Sequence, residues 1–82
     1  MTLDDRHTAV LRARCGLTPA EARFALRMIT GETLQSAAAA LDISYESART
    51  VLKKVFHKTG THRQSELVIV ILAMFAPRDQ FQ

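Results

Sequence analysis

Eighty-two residues, of which 48% are apolar, and a formal charge of +3 describe one small domain with one modest core, and argue against a second domain or a deep catalytic cleft. Three glycines and two prolines in such a composition exclude a disordered chain. Cys15 is the only cysteine, so no internal disulfide can form, and a reducing, cytoplasmic setting is expected.

Residues 2–15 read as a first helix, with Thr2 as N-cap, Asp4 and Asp5 in the first turn, and Arg12 and Arg14 in the last. These charges complement the helix dipole. Its apolar stripe of Leu3, Val10 and Leu11 is thin, so residues 1–16 are expected to be an N-terminal helix or a connector. Gly16 breaks the run. Thr18, Pro19 and Glu21 then form a strong helix start, with Thr18 as cap, proline at the first helical position and Glu21 closing a capping box. A helix is expected over about 19–30, with Phe24, Ala25 and Met28 inward, Leu17 at its entry and Gly31 at its end.

Thr33 is the next N-cap, ahead of a short alanine-rich helix in which Leu34, Ala37, Ala38 and Leu41 share a face. Residues 42–44 then make a tight turn with Ile43 buried. Ser44 caps a helix over 45–59 that Gly60 terminates. At 3.6 residues per turn, Ala48, Val51, Leu52, Val55 and Phe56 fall on one side, and Glu46, Arg49, Thr50, Lys53 and His57 on the other. Arg49, Lys53, Lys54, Lys58 and Arg63 against Glu46 give residues 44–64 a charge of +4, more than the +3 of the whole chain. Basicity so localised marks a polyanion-binding surface. After Gly60, residues 61–64 have the form of a second capping box, and Ser65–Phe75 is expected to be the last helix, before Pro77 and a polar tail over 77–82.

Two helices joined by a short turn, the second one basic, make a helix-turn-helix. Residues 17–67 resemble the LuxR-type (GerE-like) DNA-binding domain of bacterial transcription regulators. The matches are LTPAEA at 17–22, Gly31, Leu41-Asp42-Ile43-Ser44 at the turn, Ser47-Ala48-Arg49-Thr50, Lys58-Thr59-Gly60-Thr61, and Arg63-Gln64-Ser65-Glu66-Leu67. The chain departs from the family pattern at Val51, where histidine is usual, at Ala37, and at Arg23. The resemblance implies an all-α fold: a small four-helix LuxR-type domain over residues 17–76, with an extra N-terminal helix. It also implies sequence-specific binding of double-stranded DNA by a transcription regulator whose helix at 45–59 enters the major groove.

Residue by residue, the resemblance implies that Arg49, Thr50 and Lys53 touch base edges, and that Ser47, Lys54 and Lys58 touch phosphate. Chemistry adds Thr33 at the start of the preceding helix, Tyr45 through its phenol, and Arg63 within the basic cluster as phosphate contacts. Arg49 has a planar fork suited to guanine O6 and N7, with a phosphate contact as its alternative. Tyr45 has ring packing as its alternative, and Thr33 simple capping.

Leu67–Phe75 is apolar all round and far short of the roughly 20 residues that span a bilayer, so no membrane association is expected. With Leu67, Ile71 and Met74 or Phe75 inward, a homodimer interface through Val68, Leu72 and Phe75 is expected, since the resemblance implies a two-fold contact here. The alternative is a protein-interaction module that binds a regulator, an RNA polymerase subunit or an upstream regulatory domain. His7, His57, His62 and Cys15 lack metal-ligand spacing, no cofactor is required, and no constellation of an enzyme is present.

Overall fold

The computed structural model describes residues 5–75, and among them it contains five helices and no strand. The expected cap Thr2, with Leu3 and Asp4, lies outside the described residues, as do Pro77 and the tail. Helix α1 (Asp5–Cys15) ends where Gly16 takes φ +70° and donates its N–H to Arg12 O at 3.1 Å. Its thin stripe still anchors it, because Leu11 is fully buried in the common core.

Helix α2 (Pro19–Ile29) has the expected start. Thr18 Oγ1 accepts the Glu21 N–H at 3.1 Å, and Glu21 Oε1 accepts the Thr18 N–H at 2.9 Å. Two of the N–H groups left over at a helix entrance are thereby satisfied reciprocally. The helix stops one residue earlier than expected, at a C-cap on Thr30. Helix α3 (Leu34–Ala40) starts at Thr33, whose hydroxyl accepts the Ser36 N–H at 3.0 Å.

The link between α3 and helix α4 (Tyr45–Thr59) is a Schellman closure built without glycine. Asp42 takes φ +57°, its N–H donates to Ala39 O at 3.2 Å, and the Ile43 N–H donates to Ala38 O at 3.0 Å. Aspartate tolerates this left-handed region better than most residues. Ile43 was expected to be buried. It is half-buried, because the reversal that redirects the chain holds it at the edge of the core.

Helix α5 (Gln64–Phe75) begins one residue earlier than expected, and without the expected capping box. Gln64 instead turns its side-chain amide onto Met28 O at 2.7 Å and Glu32 O at 3.1 Å, satisfying carbonyls at and beyond the end of α2. Glu66 reaches back to accept the His62 N–H at 2.7 Å. Thr61 is buried, with its hydroxyl 2.9 Å from that of Thr59.

Helix α2 packs against each of the other four helices, which makes it the centre of the bundle. Phe24 and Met28 from α2 meet Leu11, Val55, Leu67 and Ile71, all essentially inaccessible to solvent. Burial of each such side chain contributes about 1.5–3 kcal/mol. At the seam of α3 and α4 the buried residues are Ala37, Ala38 and Ala48. Their small side chains let the two helix backbones approach closely, which fixes the orientation of α4.

Candidate nucleic-acid interface

Helix α4 owes its length to both ends. Ser44 accepts the Ser47 N–H at 3.1 Å, and Gly60 at φ +69° lets the Thr61 N–H return to Phe56 O at 3.0 Å. Ala48 and Val55 are fully buried, whereas Val51, Leu52 and Phe56 are half-buried. That pair sets the phase of the helix. At about 100° per residue, Glu46, Thr50, Lys53 and His57 lie opposite it, at the centre of the exposed arc. Arg49 and Lys54 sit on opposite flanks. Weighing all five apolar positions equally also leaves Arg49 on a flank, so helical periodicity alone keeps it out of the middle of the face.

Arg49, Lys53 and Lys54 are exposed, and none has an ion pair or a side-chain hydrogen bond among the described residues. Three charges of one sign thus stand on one helix, none of them ion-paired among the described residues. Thr50 Oγ1 donates to Glu46 O at 3.2 Å, which leaves its methyl group outward. Ser47 is exposed, with its hydroxyl 3.0 Å from that of Ser44. Tyr45 is half exposed at the helix entrance, and Arg63 is exposed just before α5. Thr33, exposed at the start of α3, has its oxygen occupied by the Ser36 N–H.

Lys58 differs from its neighbours. Its Nζ lies 2.7 Å from Glu21 Oε1, joining the end of α4 to the start of α2, with Glu21 buried and Lys58 about one third exposed (32%). The Lys58 ammonium, and next the Thr18 N–H, hold the Glu21 carboxyl below its ordinary range, against the opposing effect of burial. The charge of Lys58 is therefore already engaged within the fold.

Beyond Lys53 a groove is lined by Phe56, His57, Gly60, Thr61 and His62. His62 Nδ1 lies 3.8 Å from Glu66 Oε1. Among the described residues no group of three or more His, Cys, Asp or Glu side chains is placed to hold a metal ion.

On α5, Leu67 and Ile71 face the core, and Ile69, Leu72 and Ala73 face out, with Val68 half-buried beside them. Ile69 is the most exposed large apolar residue of the described chain, at 69%, and Leu72 follows on the same face at 41%. Phe75 was expected on the outer face with Val68 and Leu72. It is half-buried and meets the ring of His7 edge-on at 4.6 Å, because α1 covers that end of α5. No helix among the described residues is long and apolar enough to cross a membrane.

Two features escape a reading of the sequence, whereas the place of Glu46 on the exposed arc follows from helical spacing alone. The Glu21–Lys58 pair spans 37 residues and leaves no local signal. Ile69 lies within the apolar run 67–75, where only Ser65, four residues earlier, marks its outward side. No family model matches this chain, and neither a curated protein nor a solved structure matches it significantly.

Proposed function

We propose that the chain is a sequence-specific, double-stranded DNA-binding transcription regulator of the LuxR type, acting in the cytoplasm. On this reading α3 and α4 form the helix-turn-helix, and α4 lies in the major groove. The observation that carries it is the exposed arc of α4, where Lys53, opposite the buried Ala48 and Val55, and Arg49 and Lys54 on the flanks stand without partners among the described residues. Unpaired, clustered charge on a rigid helix is what a polyanion surface requires.

The mechanism is equilibrium binding without a cofactor. Lys54, Arg63, Tyr45, Ser47 and Thr33 contact phosphates and set the register, while residues of the arc read bases. Lys53 reaches the groove floor from the centre of the arc, and Arg49 takes guanine from its flank. Thr50 offers its methyl group to a thymine methyl, its hydroxyl being turned to Glu46 O. Lys58 contributes less to the phosphate contacts than its neighbours, since Glu21 already holds it.

Selection of bound sequences from a random duplex library, followed by affinity measurements on the best and a scrambled site at several salt concentrations, tests this reading. A defined consensus and a steep salt dependence are expected; uniformly weak binding to all duplexes overturns it. Arg49→Ala should cost about 1–3 kcal/mol on the best site and little on the scrambled one.

A second observation, the outward Ile69 and Leu72, favours a protein contact as well. We assign it to a homodimer through α5, with Val68 at its edge, which doubles the DNA footprint. Sedimentation of the chain and of Leu72→Glu should give dimer and monomer. A monomer in both cases transfers this face to RNA polymerase or to an upstream regulatory domain.

A further inference from the structure

Glu46 is an anomaly on the surface just described. It is the only acid on the arc of α4, exposed in the first turn of the helix, and it lies within 30° or so of the line opposite the core. Arg49, Thr50 and Lys53 follow at three, four and seven residues, the spacings at which helical neighbours meet. Yet its carboxylate has no ion pair and no hydrogen bond among the described residues, and Thr50 bonds to its backbone oxygen instead.

A carboxylate in this place is unfavourable against phosphate and adds nothing to counterion release. Its whole side chain is an acceptor, with no donor to offer. In the major groove the exposed donors are the N4 amino group of cytosine and the N6 amino group of adenine. Adenine, however, presents N7 beside its donor, which a carboxylate cannot satisfy. The first turn is also the part of a recognition helix that approaches base edges.

We infer that Glu46 is a specificity-determining residue that accepts a hydrogen bond from cytosine N4 in the major groove. The inference rests on the DNA-binding reading above. Unpaired within the protein, the carboxylate finds its partner only on duplexes that place a cytosine opposite it. On all others it repels, so one side chain both rewards the right base and penalises the wrong ones. Because Arg49 follows one helical turn later, the cytosine should lie next to the position that Arg49 reads.

The rival explanation is that Glu46 is kept only for the start of the helix, where an acid stabilises the dipole. The test uses the full chain with Glu46→Gln and Glu46→Ala, its selected site, and duplexes in which each C·G pair of that site is replaced in turn. Affinities are read at several salt concentrations, and melting curves confirm that each variant is folded. Glu46→Ala should lose roughly tenfold on the selected site and bind the duplex lacking the critical cytosine more tightly than the unmodified chain does, because the repulsion goes with the carboxylate. Glu46→Gln, which keeps the shape and adds a donor, should move the selected base at that one position from cytosine to adenine.

If either variant strengthens binding to every duplex alike, or leaves selection unchanged, Glu46 is not a reader and the inference falls. If the unmodified chain selects no sequence at all, the DNA-binding reading fails first, and the two failures are told apart by that control.

Discussion

Residues 18–21 and 61–64 carry the same signature at a helix entrance, a threonine followed three residues later by glutamate or glutamine, and they fold in different ways. At α2 the threonine and the glutamate cap each other. At α5 the threonine turns to Thr59, and the glutamine leaves its own helix for carbonyls at Met28 and Glu32. The difference lies in what stands nearby. A capping side chain bonds the backbone group it can reach, and at the start of α5 the Met28 and Glu32 carbonyls, at and just beyond the end of α2, lie within reach of the Gln64 amide. Both tetrads also hold the basic helix in place, Glu21 by gripping Lys58 and Gln64 by fixing the turn after α4 against α2.

The largest effect should come from Glu21→Ala, which removes both the reciprocal cap and the partner of Lys58. A loss of about 2 kcal/mol is expected in denaturant melts. Lys58, one third exposed, is rehydrated, which keeps the cost below that of breaking a fully buried pair. Glu21→Gln should keep much of the cap and release the ammonium, so on DNA its salt slope should rise by about 1.

The same carboxylate gives a pH signature. Its folded-state value lies below the unfolded one, so its contribution is fully present above the unfolded value of about 4.3 and is lost as pH falls through the folded value. Melts of the unmodified chain should weaken with acid below that point, and Glu21→Gln should flatten this part of the curve.

Gln64→Ala comes next, at about 1–2 kcal/mol, since it strips two backbone carbonyls of a partner. Thr18→Ala should cost about 1 kcal/mol, the ordinary loss of an N-cap. Smallest is Thr61→Val, at about 0.5 kcal/mol. It keeps the buried shape, and the Thr59 hydroxyl retains Val55 O as acceptor at 2.8 Å. If thermal melts find Thr61→Val as costly as Thr18→Ala, Thr61 is a cap after all and the contrast between the two tetrads disappears.

This contrast also marks what was legible in the sequence. Thr18, Thr33 and Ser44 announce their helices to the residue, because an N-cap bonds a group three positions away and carries its partner with it. The two faces of α4 were readable for the same reason, both sides of the helix being written in the same fifteen residues. What could not be read is non-local. Lys58 looks like any basic residue until Glu21 is brought to it, and Gln64 looks like a cap until α2 ends beside it. The phase of α5 was barely legible for another reason: with apolar residues over 67–75 and only Ser65 to mark the outward side, contact with α1 and α2 decides that Phe75 is half-covered and Ile69 is not. The resemblance to LuxR-type regulators named residues of α4 one at a time, whereas the burial of Ala48 and Val55 ranks them by how directly they face outward.

The lone cysteine gives this fold a built-in chemical clock. Cys15 Sγ lies 4.0 Å from Met74 Sδ, half-buried where the end of α1 meets the end of α5. Burial pushes its thiol pKa up, against a smaller opposing effect of Arg14. A thiol held in its protonated form reacts slowly with alkylating reagents, and it reacts at its ordinary rate once the seam between the two helices parts. Labelling at this one site is therefore slowed, not blocked, while the ends of α1 and α5 meet, and a faster rate reports a looser contact with no engineered reporter. Since the same seam half-covers Phe75, the labelling rate also tells whether an occupant of the outer face of α5 clamps the seam or loosens it.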